Sequence, residues 1–317
     1  ALTSEDINSL SYAILLKDAQ AIYIKQLDVV VKEISKRARA WATIPMLART
    51  HGQAASPSTL GKEMKVFSER LKRQRDALKR MTPMAKFGGA TGNFHTLQIS
   101  DSNVDWVSKT KKFLSAFKVE QNSMTTQIEP HDGIAEIAHC IQRINNILID
   151  FNQDAWLYIS NELFTLKLKD GEVGSSTMPH KVNPIDFENS EGNLGLSNAM
   201  MEFFANKLTK SRLQRDLSDS TVLRNLGVGF GYSYVGFSST LKGLSKLQPN
   251  KIKAKEELEN NWQILAEALQ IIMKLEGLDN AYEIIKAKTR GLSLTQKSYT
   301  ALVETLEVSD QAKAKLK

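Results

Sequence analysis

Seven prolines, Pro45, Pro57, Pro83, Pro130, Pro179, Pro184 and Pro249, do most to limit how this 317-residue chain can fold. Proline locks φ and removes a backbone donor, so it breaks helix interiors. The long intervals between these positions lack that breaker, and within them apolar residues recur every three or four positions, as on one buried helix face. A first helix is expected behind Thr3 and Ser4, with Glu5 and Asp6 in its first turn and the stripe Ile7, Leu10, Ile14, Leu27, Val31 and Ile34. A second is expected from Ser56 as N-cap, with Pro57 at the first helical position and Leu60, Met64, Phe67, Leu71 and Leu78 as its stripe.

The longest helix is expected over about 132–168, with Ile134, Ile137, Ile141, Ile144, Leu148 and Phe151 on one face. At 1.5 Å per residue that is roughly 55 Å. Ala138, Ile147 and Trp156 lie off this stripe, so the helix is expected to bury more than one face. Further helices read at about 186–208, 221–247, 253–275, 281–289 and 295–306. Strand patterning is nearly absent. The pattern predicts an all-α, elongated long-helix bundle that oligomerises. Near Leu247-Gln248-Pro249-Asn250 the helices become shorter and richer in Lys and Glu. This divides the chain into a central domain, 1–247, and a small C-terminal helical domain, 248–317.

Composition narrows the function classes. The balance of 42 Lys+Arg against 35 Asp+Glu gives +7, and the pI is near 9.2. The cations in Glu69-Arg70-Leu71-Lys72-Arg73-Gln74-Arg75 interleave with apolar residues, as on a solvated amphipathic helix. No zinc-finger spacing or RNP-type aromatic motif accompanies them, so no nucleic-acid partner is expected. A modest positive excess also suits a small polyanionic substrate. No apolar run is long enough to span a membrane, so no membrane partner is expected either. The single cysteine, Cys140, excludes an internal disulfide framework and a Cys-based zinc site. It points to a reducing, cytoplasmic setting.

Four polar segments between the helices are poorly explained as packing. Arg49-Thr50-His51-Gly52-Gln53 is a turn bearing a histidine, and Thr125-Thr126-Gln127-Ile128-Glu129-Pro130-His131-Asp132 precedes the longest helix. Hydroxyl and amide groups beside free helix N–H groups suit an anionic ligand. A loop over 171–184 has two Gly, two Pro and paired serines, and carries Lys181 and Asn183. Polar loops between buried helices are where function concentrates. The fourth segment, 211–224, sets Arg212, Arg215 and Arg224 among hydroxyls and carboxylates, a composition that suits phosphate or merely a charged turn. Gly88-Gly89-Ala90-Thr91-Gly92-Asn93 lacks the features of a P-loop or dinucleotide motif and reads as a tight turn that lets backbone approach closely.

Ser175-Ser176-Thr177-Met178-Pro179-His180-Lys181-Val182-Asn183, with Glu188 five residues on, resembles the signature loop of the fumarase/aspartase superfamily. Gly52 in Arg-Thr-His-Gly-Gln and His180 in Met-Pro-His-Lys are similar to the adenylosuccinate lyase branch. So are Thr3-Ser4-Glu5-Asp6-Ile7-Asn8 and the run from Arg215 to Asn225. The likeness runs from Thr3 to about Lys246. Family members also carry an N-terminal domain with a His-Asp motif ahead of Thr3. No counterpart occurs here, so the chain is expected to be a fragment with little activity alone.

The resemblance implies β-elimination of fumarate from adenylosuccinate, giving AMP, and from the succinylcarboxamide intermediate of purine biosynthesis (SAICAR), giving AICAR. It implies Ser175 as general base, with Ser176 in its place if the register differs by one. His51 is implied as general acid, with His131 as the competing candidate. Lys181 completes the catalytic set, and Lys181 and Asn183 are expected to hold the fumaryl carboxylates. Thr3, Ser4, Thr50, Gln127, Ser176 and Met178 are expected against the substrate, with Arg215, Ser220 and Arg224 on its nucleotide side. No cofactor and no metal are implied. The expected assembly is a homotetramer with sites shared between subunits. Argininosuccinate lyase or another sister lyase remains the alternative reading, as does a non-catalytic helical structural homologue.

Overall fold

A computed structural model of the chain describes residues 2–167, 178, 181–291 and 294–316. In chain order its first elements are α1 (Ser4–Ala40), β1 (Pro45–Thr50), β2 (Gln53–Thr59), α2 (Leu60–Lys79), β3 (Met84–Ala85), α3 (His95–Ser100) and α4 (Trp106–Ser115). Next come β4 (Glu120–Gln121), α5 (Asp132–Ser160), β5 (Phe164–Leu166), α6 (Ile185–Leu208), α7 (Ser218–Leu223), α8 (Leu226–Lys246) and β6 (Leu247–Pro249). The chain continues through α9 (Lys251–Glu259), a 3₁₀ turn (Trp262–Leu265), α10 (Ala266–Leu275), α11 (Ala281–Thr289), α12 (Gln296–Glu304) and α13 (Asp310–Leu316). Long helices dominate, as expected. Among the described residues the strands form three two-stranded ladders, β1–β2, β3–β4 and β5–β6.

The chain divides into two compact units. One comprises Ala1–Ser35, Val66–Leu157 and Leu168–Leu247; the other comprises Lys36–Lys65, Tyr158–Lys167 and Gln248–Lys317.

In the first unit, α1 buries Leu16, Tyr23, Leu27, Val30 and Ile34, a ladder with the helical period. Ile7 lies off that ladder and is exposed, so the expected stripe is corrected at its first member. α5 buries Ile137, Ile141, Ile144, Leu148 and Phe151 and, on an adjoining face, Ala138 and Ile147. It stops at Ser160, so its 29 residues span about 43 Å rather than the expected 55 Å. The cause is local: Glu162 takes a left-handed φ of 62°, its N–H bonds the Ile159 carbonyl, and the buried Leu163 and Phe164 lead into β5. The helix expected over 221–247 is broken into α7 and α8 at Arg224–Asn225.

α6 packs on α8 through glycines seven residues apart. A Cβ on Gly229 would sit 2.9 Å from the Met201 methyl, one on Gly236 2.7 Å from Leu194 Cγ, and one on Gly243 2.8 Å from Phe187 Cζ. Two polar layers repeat at the same interval. In one, Asn145 donates to Ser197 Oγ (3.1 Å) and Ser233 Oγ (2.9 Å), and accepts from Tyr23 OH (3.2 Å). In the other, Asn152 donates to Ser190 Oγ (2.8 Å) and accepts from Thr240 Oγ1 (3.2 Å). Fully paired, such layers are compatible with burial and favour one helix register.

In the second unit β1 and β2 form an antiparallel hairpin, with Pro45 opposite Thr59 and Thr50 opposite Gln53. Ser56 and Pro57 therefore sit in a strand, not at a helix start. A two-stranded ribbon leaves each strand an unpaired edge, where a proline without N–H is tolerated. The cap of α2 is Thr59 instead, whose hydroxyl accepts from the Lys62 N–H at 3.2 Å. The helix expected over 253–275 is interrupted at Asn260–Asn261, where the Asn261 side chain bonds the Glu257 carbonyl at 2.7 Å. α12 starts where expected, behind a capping box made by Thr295 and Ser298. Leu269, Met273, Ile285, Tyr299 and Val303 form the core of its short helices.

Candidate active site

In the first unit the starts of α1 and α7, the 86–94 loop and the 122–131 segment converge on buried charge. Asp6 and Lys86 are both wholly buried, with Lys86 Nζ 2.7 Å from Asp6 Oδ1. Lys86 Nζ also donates to the Gly89 carbonyl (2.6 Å), while the Asp6 carboxylate accepts from the Thr3 N–H (2.9 Å) and the Gly89 N–H (3.2 Å). The expected close backbone approach at the glycine loop is present. A Cβ on Gly92, at φ 74°, would sit 2.4 Å from the carbonyl oxygens of Thr125 and Thr126.

A second run of charge alternates in sign. Arg215 Nη1 donates to the buried Glu5 Oε2 at 2.9 Å. His131 is 4% exposed; its Nδ1 lies 3.5 Å from Glu129 Oε2 and its Nε2 3.6 Å from Asp219 Oδ2. Burial alone would lower the imidazole pKa, but Asp219 and Glu129 outweigh it and raise it to about 9. Burial likewise acts to raise Asp219, and the His131 contact prevails and lowers it. The His131 backbone N–H donates to Glu129 Oε2 (2.7 Å), and Asn122 donates to Glu129 Oε1 (3.1 Å). Beside this cluster Gln127 bonds the Gln214 carbonyl through its backbone (3.2 Å) and the Ala90 carbonyl through its side chain (3.0 Å). Arg224, one turn after Ser220, donates to its hydroxyl at 3.4 Å. A cavity of about 880 Å³, lined in part by Asn93, Thr125, Thr126, Pro130 and Ser211, opens on this region.

Thr3, Gln127, Arg215, Ser220 and Arg224, expected from sequence, are thus tied by contact into one neighbourhood, and the exposed Ser4 begins the same helix. Thr50 and His51 lie in the other unit, at the tip of the β1–β2 hairpin. His51 and Gly52 are the two turn residues, at φ 53° and 73°, so both positions require the left-handed conformation of a type I′ turn. Glycine adopts it freely, whereas a histidine there is strained and held exposed. Arg49 reaches back to Glu257 of α9 at 3.3 Å, fixing the hairpin against its own unit.

Of the signature loop, Ser175, Ser176 and His180 lie outside the described residues. Met178 and Lys181 are exposed, and Asn183 is half-buried just before α6. The Lys181 N–H bonds the Met178 carbonyl at 3.0 Å. Glu188, the last member of the pattern, accepts from the Trp156 indole at 3.0 Å.

Residues 1–200 match the family model described as Lyase, and residues 211–317 match the one described as Adenylosuccinate lyase C-terminal. The chain is 50% identical over 317 residues to the adenylosuccinate lyase of Legionella pneumophila (strain Corby), covering 100% of this chain and 70% of that enzyme. It is 48% identical over 321 residues to that of Escherichia coli (strain K12), with the same two shares.

The chain belongs to the adenylosuccinate lyase family.

Among solved structures, a fumarate lyase from Mesorhizobium sp. BNC1 superposes with a TM-score of 0.78 at 18% identity, covering 99% of this chain and 72% of that one. The 3-carboxy-cis,cis-muconate lactonizing enzyme from Pseudomonas putida gives 0.75 at 22%, covering 99% and 69%. At these identities the likeness establishes the long-helix fold. Glu5, Lys86, Glu129 and Asp219 were not among the expected site residues. Of the charged groups in this cluster, Arg215 was expected on the nucleotide side and His131 as an alternative acid.

Proposed function

We propose that the protein bearing this chain removes fumarate from adenylosuccinate, leaving AMP, and from SAICAR, leaving AICAR. The observation that carries this reading is near-50% identity along the whole chain to enzymes named for the first reaction, with the loop pattern intact from Ser175 to Asn183 and Glu188. The difficult step is removing a proton from carbon beside a carboxylate, because the carbanion places further charge on that carboxylate. Ser175 takes that proton, or Ser176 in a shifted register. The C–N bond then breaks, its electron pair stays on nitrogen, and His51 supplies the proton that nitrogen needs.

A serine hydroxyl is too weak an acid to serve as a base unaided, so Lys181 and backbone N–H groups must stabilise its ionised form as water is excluded. Lys181 and Asn183 hold the dicarboxylate end. Thr3, Ser4, Thr50, Gln127 and Met178 line the substrate, and Arg215, Ser220 and Arg224 receive the nucleotide and its phosphate. Two features favour His51 over His131 as acid. His51 is exposed on a strained turn, whereas His131 is buried between two carboxylates that hold its proton firmly.

The same reading includes a homotetramer that shares sites between subunits, acting in the cytoplasm. Exposed Leu15 and Ile22 on α1, Leu196 and Phe203 on α6 and Val235 on α8 support the association. No described helix is long and apolar enough to cross a membrane. The test is Ser175→Ala: substrate should still bind while turnover disappears. Near-normal turnover would move the base to another group. Argininosuccinate in the same assay separates the sister-lyase reading, which predicts fumarate from that compound.

A further inference from the structure

The buried charges around His131 do not take part in the steps above, yet they join the segments that carry the substrate-facing residues. Asn122, Glu129 and His131 belong to the segment of Gln127, and Asp219 belongs to α7, the helix of Ser220. Three observations set this cluster apart from an ordinary surface network. His131 holds a left-handed φ of 65°, which a non-glycine residue adopts only when its surroundings enforce it. It is 4% exposed, and its flanking carboxylates Glu129 and Asp219 are 3% and 4% exposed. Two carboxylates this deeply buried repel unless a cation lies between them. The groups facing the imidazole are Glu129 on its own segment and Asp219 on α7. Arg215 lies beyond Asp219, and Glu5 and Tyr12 of α1 line the same small cavity as His131.

We infer that His131 is a positioning residue: as a buried cation between Glu129 and Asp219 it clamps α7 to the 122–131 segment and sets where Ser220 and Arg224 meet the substrate phosphate. This rests on the proposed lyase reading. Asp219 immediately precedes Ser220, and Arg224 donates to the Ser220 hydroxyl, so a shift of α7 moves both together. Phosphate contacts of this kind are made equally in ground state and transition state. Their loss therefore raises KM and leaves kcat in place.

The experiment compares the protein bearing this chain with its His131→Asn variant. Asparagine tolerates the left-handed backbone but carries no charge. Fumarate release is measured from adenylosuccinate and from its 5′-dephosphorylated nucleoside. The expected result is a KM for adenylosuccinate raised about tenfold to hundredfold, with kcat within about twofold and the nucleoside's KM unchanged. A merely structural role would raise both KM values alike, and that outcome overturns the inference. So does an unmoved KM, or a fall in kcat alone, which would place His131 in the chemistry. If the single variant does not fold, His131→Asn/Asp219→Asn removes the repulsion as well, and the same split between the two substrates is required. Wild-type protein that releases no fumarate from either compound refutes the lyase reading itself, an outcome distinct from a wild-type activity that His131→Asn leaves unaltered.

Discussion

Lys86→Met tests how much of the first unit's architecture rests on one buried ion pair. Lys86 and Asp6 are both fully buried and 2.7 Å apart. Methionine matches the aliphatic stem of lysine, so the substitution leaves almost no cavity and removes mainly the charge. What remains is the Asp6 carboxylate with two backbone donors and no cation, together with a Gly89 carbonyl stripped of its lysine donor. Breaking a buried pair in this way costs about 3–5 kcal/mol. The reverse partner change, Asp6→Asn, should then be damaging in wild type but helpful in the Lys86→Met background. Replacing a whole buried pair with neutral groups is often close to neutral, so the double variant should lie within about 2 kcal/mol of wild type. With a similar loss for each single variant, the coupling energy from the cycle would be about 4 kcal/mol or more, well beyond what separate sites show. Because the chain has two units, the readout should be local: urea dependence of hydrogen exchange at the amides of residues 3–9 and 86–94. A single variant costing under about 1 kcal/mol, or additive losses in the double, would show that the Asp6–Lys86 pair does not hold this region together.

His51→Gly should remove left-handed strain and make the hairpin more stable by up to about 1 kcal/mol, while turnover falls about 10²- to 10⁴-fold. Melting curves and fumarate release check the pair; a less stable protein, or one that still turns over normally, would contradict it. The raised pKa of His131 also sets a pH window. Its value near 9 lies above the ordinary 6.5, so its stabilisation is complete below pH 6.5 and is lost as pH rises through 9. That loss amounts to about 3 kcal/mol, and the stability gap between wild type and His131→Asn should narrow by this much; a gap that is flat or widens with pH argues otherwise. Gly236→Ala should destabilise by about 1–3 kcal/mol although alanine is the better helix former, because its Cβ would lie 2.7 Å from Leu194 Cγ. Denaturant midpoints decide, and a stabilised variant would show that α6 and α8 can separate freely.

Much of the helical frame is visible in the sequence because a period-3.6 apolar stripe marks a buried helix face, as Leu60, Met64, Phe67, Leu71 and Leu78 do in α2 and Ile137, Ile141, Ile144, Leu148 and Phe151 do in α5. The hairpin is a different case. Ser56-Pro57 is good helix-start chemistry, but the His51-Gly52 turn and the pairing with Pro45–Thr50 prevail. Two consecutive left-handed positions were the available signal, and histidine in the first of them disguised it. The end of α5 was hidden for a similar reason, since Glu162 is not a residue that announces a left-handed stop.

At the site, the sequence pointed to residues within distinctive motifs and gave no sign of the buried charges. Glu5 meets Arg215 across 210 positions, and Asp6 meets Lys86 across 80. A lone Glu or Lys in a helix pattern looks solvated until its partner is placed. The Gly88–Asn93 loop lies between these cases: its composition predicted close backbone approach, and Thr125 and Thr126 are what it approaches.

The proposed reaction stands or falls on supplying adenylosuccinate to the protein that bears this chain and quantifying fumarate and AMP together. The two products should appear in equal amounts, with none from argininosuccinate. A correctly folded protein that releases no fumarate from adenylosuccinate, or that cleaves argininosuccinate instead, would contradict the proposed reaction.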